Sequence, residues 1–180
     1  MKKFELTTEF ITNAFGKKLF RIKALVEFGN VKAGELGGYV EKEGNISQDG
    51  NAWVYDNARV SGNAKVYGNA WVYGNAKVCD NAWVYDNAWV CGNAWVCGNA
   101  RVSGNADYAL VQGFGTEFRC TTFYRDKNKK IMVNCGCFHG DLEEFRKRVK
   151  ETRNGKIAKE YLTIADLMEY HFASEDSSDE

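Results

Sequence analysis

From Asn45 to Ala106 the apolar positions fall on a fixed six-residue period. Asn recurs at 45, 51, 57, 63, 69, 75, 81, 87, 93, 99 and 105. Ala fills the next place in every unit from Ala52 to Ala106, and Val the fourth place from Val54 to Val102. Ala and Val lie two residues apart, so in extended chain they point to one face and the residue between them to the other. One small and one medium side chain, repeated without variation, suit a narrow interior that anything larger would overfill. Gly or Asp followed by Asn closes each unit, a pair that tolerates positive φ. Each hexad therefore predicts one short strand and one tight corner. A six-residue period fits neither an amphipathic helix nor a sandwich with turns every 8–12 residues.

The unit Val-x-Gly-Asn-Ala-x, as in Val60 to Lys65 or Val66 to Trp71, resembles the hexapeptide repeat of left-handed β-helix proteins. That resemblance implies three hexads per triangular coil and a left-handed winding. The segments Phe20–Leu25 and Gly34–Val40, with the exit Cys135-Gly-Cys-Phe-His-Gly, resemble hexapeptide-repeat proteins of phages and prophages. The expected fold is mainly β: a left-handed parallel β-helix with an N-terminal β cap and a C-terminal ββαα cap or domain.

Four segments follow. Residues 1–32 form the N-terminal cap. Phe4-Glu-Leu-Thr-Thr reads as a strand, as does the alternation of Phe20, Ile22, Ala24, Val26 and Phe28 with Arg21, Lys23 and Glu27. A loop with Asn13 and Gly16 joins them. Residues 33–108 form the helix, the first coil being imperfect because Lys42 and Gln48 stand where Val is expected. Residues 109–173 lose the hexad. There Phe118, Cys120, Thr122 and Tyr124 alternate, then Ile131, Val133, Cys135 and Cys137, with a turn at Asp126–Lys129. A helix starting at Asp141 carries Leu142, Phe145 and Val149 on one face and ends at Asn154-Gly155. A second carries Ile157, Tyr161, Ile164, Met168 and Phe172. Residues 174–180 form an acidic tail, expected to be disordered.

Positions eighteen apart stack on adjacent coils. Trp53, Trp71 and Trp89 thus share one outward column, flanked by Tyr55 and Tyr73, with Cys91 next. The second face carries Arg59, Lys77 and Trp95; the third carries Lys65, Trp83 and Arg101. An outward aromatic column marks an interface, either between copies of this chain or with a host protein. Its bland alternative is a ladder that only ties coils together. Trp and Tyr beside Arg or Lys could also hold a small nucleotide.

Composition narrows this picture. Twenty-four basic and 24 acidic residues give zero formal charge, so no global field draws in nucleic acid. There is no membrane-spanning apolar run. Six Cys without a secretory signal lead us to expect free thiols and a cytoplasmic setting. Cys79 and Cys97 share a corner column and are expected to be small corner residues, although a bridge between them is sterically conceivable. Cys135, Cys137 and His139 offer three possible metal ligands on one expected strand face, but the Cys spacing is tighter than zinc sites favour. No metal and no cofactor are expected.

Many β-helix relatives are CoA-dependent acyltransferases that use a His base at a coil edge. Here the two His, His139 and His171, lie outside the repeat, and no loop interrupts the hexads. The expectation is a non-enzymatic binding protein, with the acyltransferase as the alternative.

Overall fold

A computed structural model describes residues 2–173 and divides the chain at Asn105/Ala106 into two compact units. The acidic tail lies outside the described residues.

The first unit is the parallel β-solenoid. Its N-terminal hairpin pairs β1 (Phe4–Thr12) antiparallel with β2 (Lys18–Ala24), and β2 pairs antiparallel with β3 (Leu36–Val40). The turn is held by Asn13, whose carboxamide oxygen accepts from the amides of Phe15 and Lys17, both at 3.0 Å. β2 stops at Ala24 rather than running on to Phe28. The Leu25 amide makes the last bond of the ladder, to the Lys3 carbonyl at 2.8 Å, and the chain then bends so that Phe28 pairs with Val31.

Nine two-residue strands then follow, one per hexad. They are β4 (Trp53–Val54), β5 (Arg59–Val60), β6 (Lys65–Val66), β7 (Trp71–Val72) and β8 (Lys77–Val78). Next come β9 (Trp83–Val84), β10 (Trp89–Val90), β11 (Trp95–Val96) and β12 (Arg101–Val102). They stack on three sides, β4-β7-β10, β6-β9-β12 and β5-β8-β11, all parallel and in register at eighteen-residue spacing. Ala and Val from Ala52 to Val102 are fully buried, as the alternation requires. Every odd-numbered amide from Asn51 to Tyr85 donates to a carbonyl of the following coil. Corner Asn side chains bond their copies, as Asn51 to Asn69 (3.1 Å) and Asn69 to Asn87 (3.2 Å).

The first coil departs from the expected register. Tyr39 and Val40 pair with Arg59 and Val60, and Ile46 with Val66, an offset of twenty residues rather than eighteen. Val40 and Ile46, not Lys42 and Gln48, occupy the Val places. Ser47–Gly50 make a longer corner that absorbs the extra two residues. Asn45 is therefore no corner residue. It is fully buried, and its amide nitrogen donates to the carbonyls of Ala64 (2.8 Å) and Gly62 (3.2 Å).

Those carbonyls belong to the open N-terminal edge of the solenoid, which must find donors or water. Tyr39, Glu41 and Ser47 supply backbone amides to Ala58, Val60 and Val66. Lys3 supplies its ammonium to Ala52 (2.9 Å) and Gly50 (3.3 Å). Lys3 is almost wholly buried, and desolvation lowers its pKa to about 8, against a smaller opposing pull from Asp49.

The second unit is a four-stranded antiparallel sheet with two helices. The sheet runs β13 (Tyr108–Phe114), β14 (Arg119–Arg125), β15 (Ile131–Cys135) and β16 (Phe138–Asp141). The expected pair of strands is thus the centre of a larger sheet. Helix α1 (Leu142–Thr152) begins with a capping box: the Asp141 carboxylate accepts from the Glu144 amide, and Glu144 returns the bond to the Asp141 amide, both at 2.8 Å. Helix α2 (Gly155–Phe172) starts directly after it, so Asn154-Gly155 opens the second helix instead of closing the first. Phe123, Val133, Phe145, Ile164, Met168 and Phe172 make the core. Arg146 ties the helices from outside, reaching Asp166 (2.8 Å) and Glu169 (2.6 Å). Among the described residues no helix is long and apolar enough to cross a membrane.

Candidate functional site

The outward residues of the solenoid carry the chemistry. Strand alternation puts Trp53, Trp71 and Trp89 in one column, bridged directly by β4-β7-β10 pairing. Their surroundings differ sharply. Trp53 points away from the prism, yet it is 0% exposed, whereas Trp89 is 45% exposed. The expectation of three solvent-facing Trp is corrected here. Phe28 and Phe4 meet the Trp53 ring edge-on, with centroids at 5.3 and 5.9 Å. Gly37 lies so close that an added Cβ would stand 2.7 Å from the Trp53 ring and 2.5 Å from the Val54 carbonyl. The N-terminal segment folds over this rung and buries the indole against the two phenylalanines, an apolar gain that outweighs the unpaired indole N–H.

One coil on, Trp71 and Trp89 stack in parallel, with centroids 5.2 Å apart and planes 5° apart. Tyr55 braces Trp71 edge-on at 5.5 Å. The hydrogen bond that the Tyr73 phenol makes to Cys91, with some desolvation, pushes that phenol above its ordinary range. This diagonal brace recurs on the other faces. Tyr67 meets Trp83 at 6.0 Å, and the Trp95 indole N–H donates to Cys79 Sγ at 3.2 Å. Tyr67 also stacks on Tyr85 at 5.1 Å.

Trp83, Trp89 and Trp95 occupy consecutive hexads, so they form a belt with one indole on each side of the prism. Two of the three already carry a cation. The Arg101 guanidinium lies 4.2 Å from the Trp83 centroid, and the Lys77 ammonium 5.4 Å from that of Trp95. Among the described residues, the Trp71/Trp89 face carries no cation–ring contact. The seven aromatic site residues therefore split into a covered rung (Trp53), a stacked pair with its Tyr braces (Trp71, Trp89, Tyr55, Tyr73), and two cation-capped indoles (Trp83, Trp95).

A cleft of 330 Å³ opens beside the β5-β8-β11 side, lined by Phe15 and Lys17 of the hairpin tip, Arg59, Lys77, and the Cys79/Cys97 corner. The Cys79 and Cys97 sulfurs and an Asp80 oxygen all lie within 4.8 Å of one another. The hydrogen bond to Cys97 and then burial push the Cys79 thiol far up, so in the free protein it is held protonated. Sequence spacing placed the two Cys together; Asp80 was read only as a corner residue.

Cys135, Cys137 and His139 do not share a strand face. The chain turns at Gly136 (φ 60°), pairing Cys135 with Phe138 and Asn134 with His139. His139 Nδ1 instead sits 2.6 Å from the Asn134 carboxamide oxygen.

No curated protein matches the chain. A family model described as the YdcK Beta solenoid repeat matches residues 52–66, the stretch that builds β4, β5 and β6 and hence one full circuit of three sides. The matched hexads and the stacked coils agree: this chain is a β-solenoid repeat protein.

Proposed function

We propose that the protein is a non-catalytic binding module whose docking face is the Trp71/Trp89 stack with Tyr55 and Tyr73. The observation that carries this reading is the contrast within one column. The chain buries its own Trp53 rung under two edge-on phenylalanines, and that arrangement is a template for what an apolar segment from another chain would do one coil further on. A well-covered Trp is worth about 2–4 kcal/mol as a hot spot. The partner to test first is a second copy of the chain. A host protein is the alternative if the likeness to phage and prophage repeat proteins reflects origin. The nucleotide reading is weaker, because Trp83 and Trp95 already hold a cation against the ring that a base would need. No observation favours acyl transfer over binding, the repeat lacking any His.

Sedimentation of wild type, Trp71→Lys and a Lys65→Ala control over a range of concentrations tests this. Trp71→Lys is expected to remain folded, lose self-association or partner capture, and differ from the control. If it melts lower but sediments and binds as wild type does, the indoles are only a ladder between coils and the docking face is wrong.

A further inference from the structure

We propose that Cys79, Asp80 and Cys97 form a site for a thiophilic divalent cation of the zinc class, with its fourth coordination position turned to the cleft. Tetrahedral zinc holds sulfur at about 2.3 Å and carboxylate oxygen at about 2.0–2.2 Å, which asks for ligand atoms roughly 3.5–3.8 Å apart. Cys79 Sγ and Asp80 Oδ2 lie 4.0 Å apart, and all three ligand atoms lie within 4.8 Å of one another. A shift of about 1 Å at the side-chain tips brings the triad to that spacing.

The surroundings are particular to this corner. The place after Val holds Tyr55, Tyr73 and Cys91 at one corner and Tyr67, Tyr85 and Ser103 at another. Here it holds Ser61, Cys79 and Cys97. Small residues where the other corners carry tyrosines leave room for the cleft, and that cleft is lined by all three ligands. Neither thiol is in a disulfide.

Two bonds already orient the ligands as outer-shell partners do. The Trp95 N–H points at Cys79 Sγ (3.2 Å), and the Gly98 amide donates to Asp80 Oδ2 (3.0 Å), the oxygen that faces Cys79, leaving its other lone pair for the metal. Asp56 makes the equivalent bond to Gly74, so the carboxylate's placement belongs to the coil. The two sulfurs beside it are what this corner adds. On binding, each thiol releases its proton to solvent, and two thiolates plus a carboxylate outweigh a dication by one negative charge. Lys77 and Arg59 along the cleft wall balance that excess. The competing use of the same atoms is a Cys79–Cys97 disulfide between coils.

The test is titration of the reduced, chelator-treated full chain with Co²⁺, followed by Zn²⁺ displacement. The readout is the near-ultraviolet thiolate-to-cobalt charge-transfer band. Cys79→Ser and Cys97→Ser are the decisive variants, and Ser61 in the same column shows that serine fits there. Wild type is expected to saturate at one equivalent, and either serine variant to lose the band. Asp80→Asn should bind at least tenfold more weakly, while Cys91→Ser and Cys137→Ser should match wild type. The proposal is overturned if wild type gives no band, if the band survives in a folded Cys79→Ser or Cys97→Ser protein, or if the pair only oxidises to a disulfide and the reduced form ignores the metal.

Discussion

The solenoid and the C-terminal unit solve the same burial problem by opposite means. In the solenoid every interior place from Ala52 to Val102 is an Ala or a Val, and each rung there repeats the last. In the C-terminal unit each core residue is used once. Phe145 alone meets Phe138, Tyr161 and Phe123, at 5.5, 5.8 and 6.0 Å. Stability in the first is a sum over neighbouring coils, and damage there should stay local. Stability in the second rests on a few large groups, and damage there should spread through the unit.

The sharpest way to break that contrast is Phe145→Ala. It should cost about 3–5 kcal/mol and strip amide-exchange protection from β14 and β15, while the amides of Asn51–Tyr85 keep theirs. Collapse of protection in both units would show that the two do not fold separately. Next comes Ala76→Leu inside the prism, which should cost about 1–3 kcal/mol by overpacking. Its loss of protection should fade within a coil or two; uniform loss along the solenoid would sink the nearest-neighbour picture.

Lys3 sharpens the comparison at the solenoid's end. Its folded pKa of about 8 lies below the ordinary 10.5, so between those values the unfolded chain binds more protons than the folded one. This group's contribution therefore grows more favourable as pH rises from about 8 towards 10.5. Wild-type stability relative to Lys3→Met should gain on the order of 1 kcal/mol across that window. A flat difference would mean that the amine is not desolvated. Asn69→Ala, which removes one rung of an exposed Asn ladder, should lower stability least, by about 0.5–1 kcal/mol, measured by denaturant titration.

Periodicity made the solenoid legible from Asn51 to Val102, because Ala and Val recur where the interior demands them. It misled at the first coil, where Asn45 keeps the six-residue beat by coincidence while Ser47–Gly50 insert two residues. Val40 and Ile46, both β-branched, were the available signal. The burial of Trp53 was not legible, since no spacing says where Phe4 and Phe28 come to rest. The tight Gly37-Gly38 pair hinted at a close approach there. In the C-terminal unit β13 was missed because Tyr-Ala-Leu-Val-Gln-Gly-Phe does not alternate, and β16 because four residues running into a helix cap carry no period. The helix faces were read correctly because 3.6-residue stripes are local. Asp80 became a candidate ligand only when coil stacking brought Cys97 beside it.

The hydrogen bonds between coils are unbalanced in direction, since each rung sends three odd-numbered amides forward for the Val amide that its pairing returns, and this gives the prism an electrical axis. In a flat sheet successive peptide dipoles cancel, but here the strands are two residues long and corner amides such as those of Asn51, Asn57 and Asn63 aim the same way as the strand amides of Trp53, Arg59 and Lys65. Cancellation within so short a strand is incomplete, and the surplus adds from coil to coil as it does along an α-helix. The carbonyl-rich first coil is the negative pole, and it is there that Lys3 lays its ammonium. The solenoid thus carries a backbone field along its axis in addition to that of its side-chain charges.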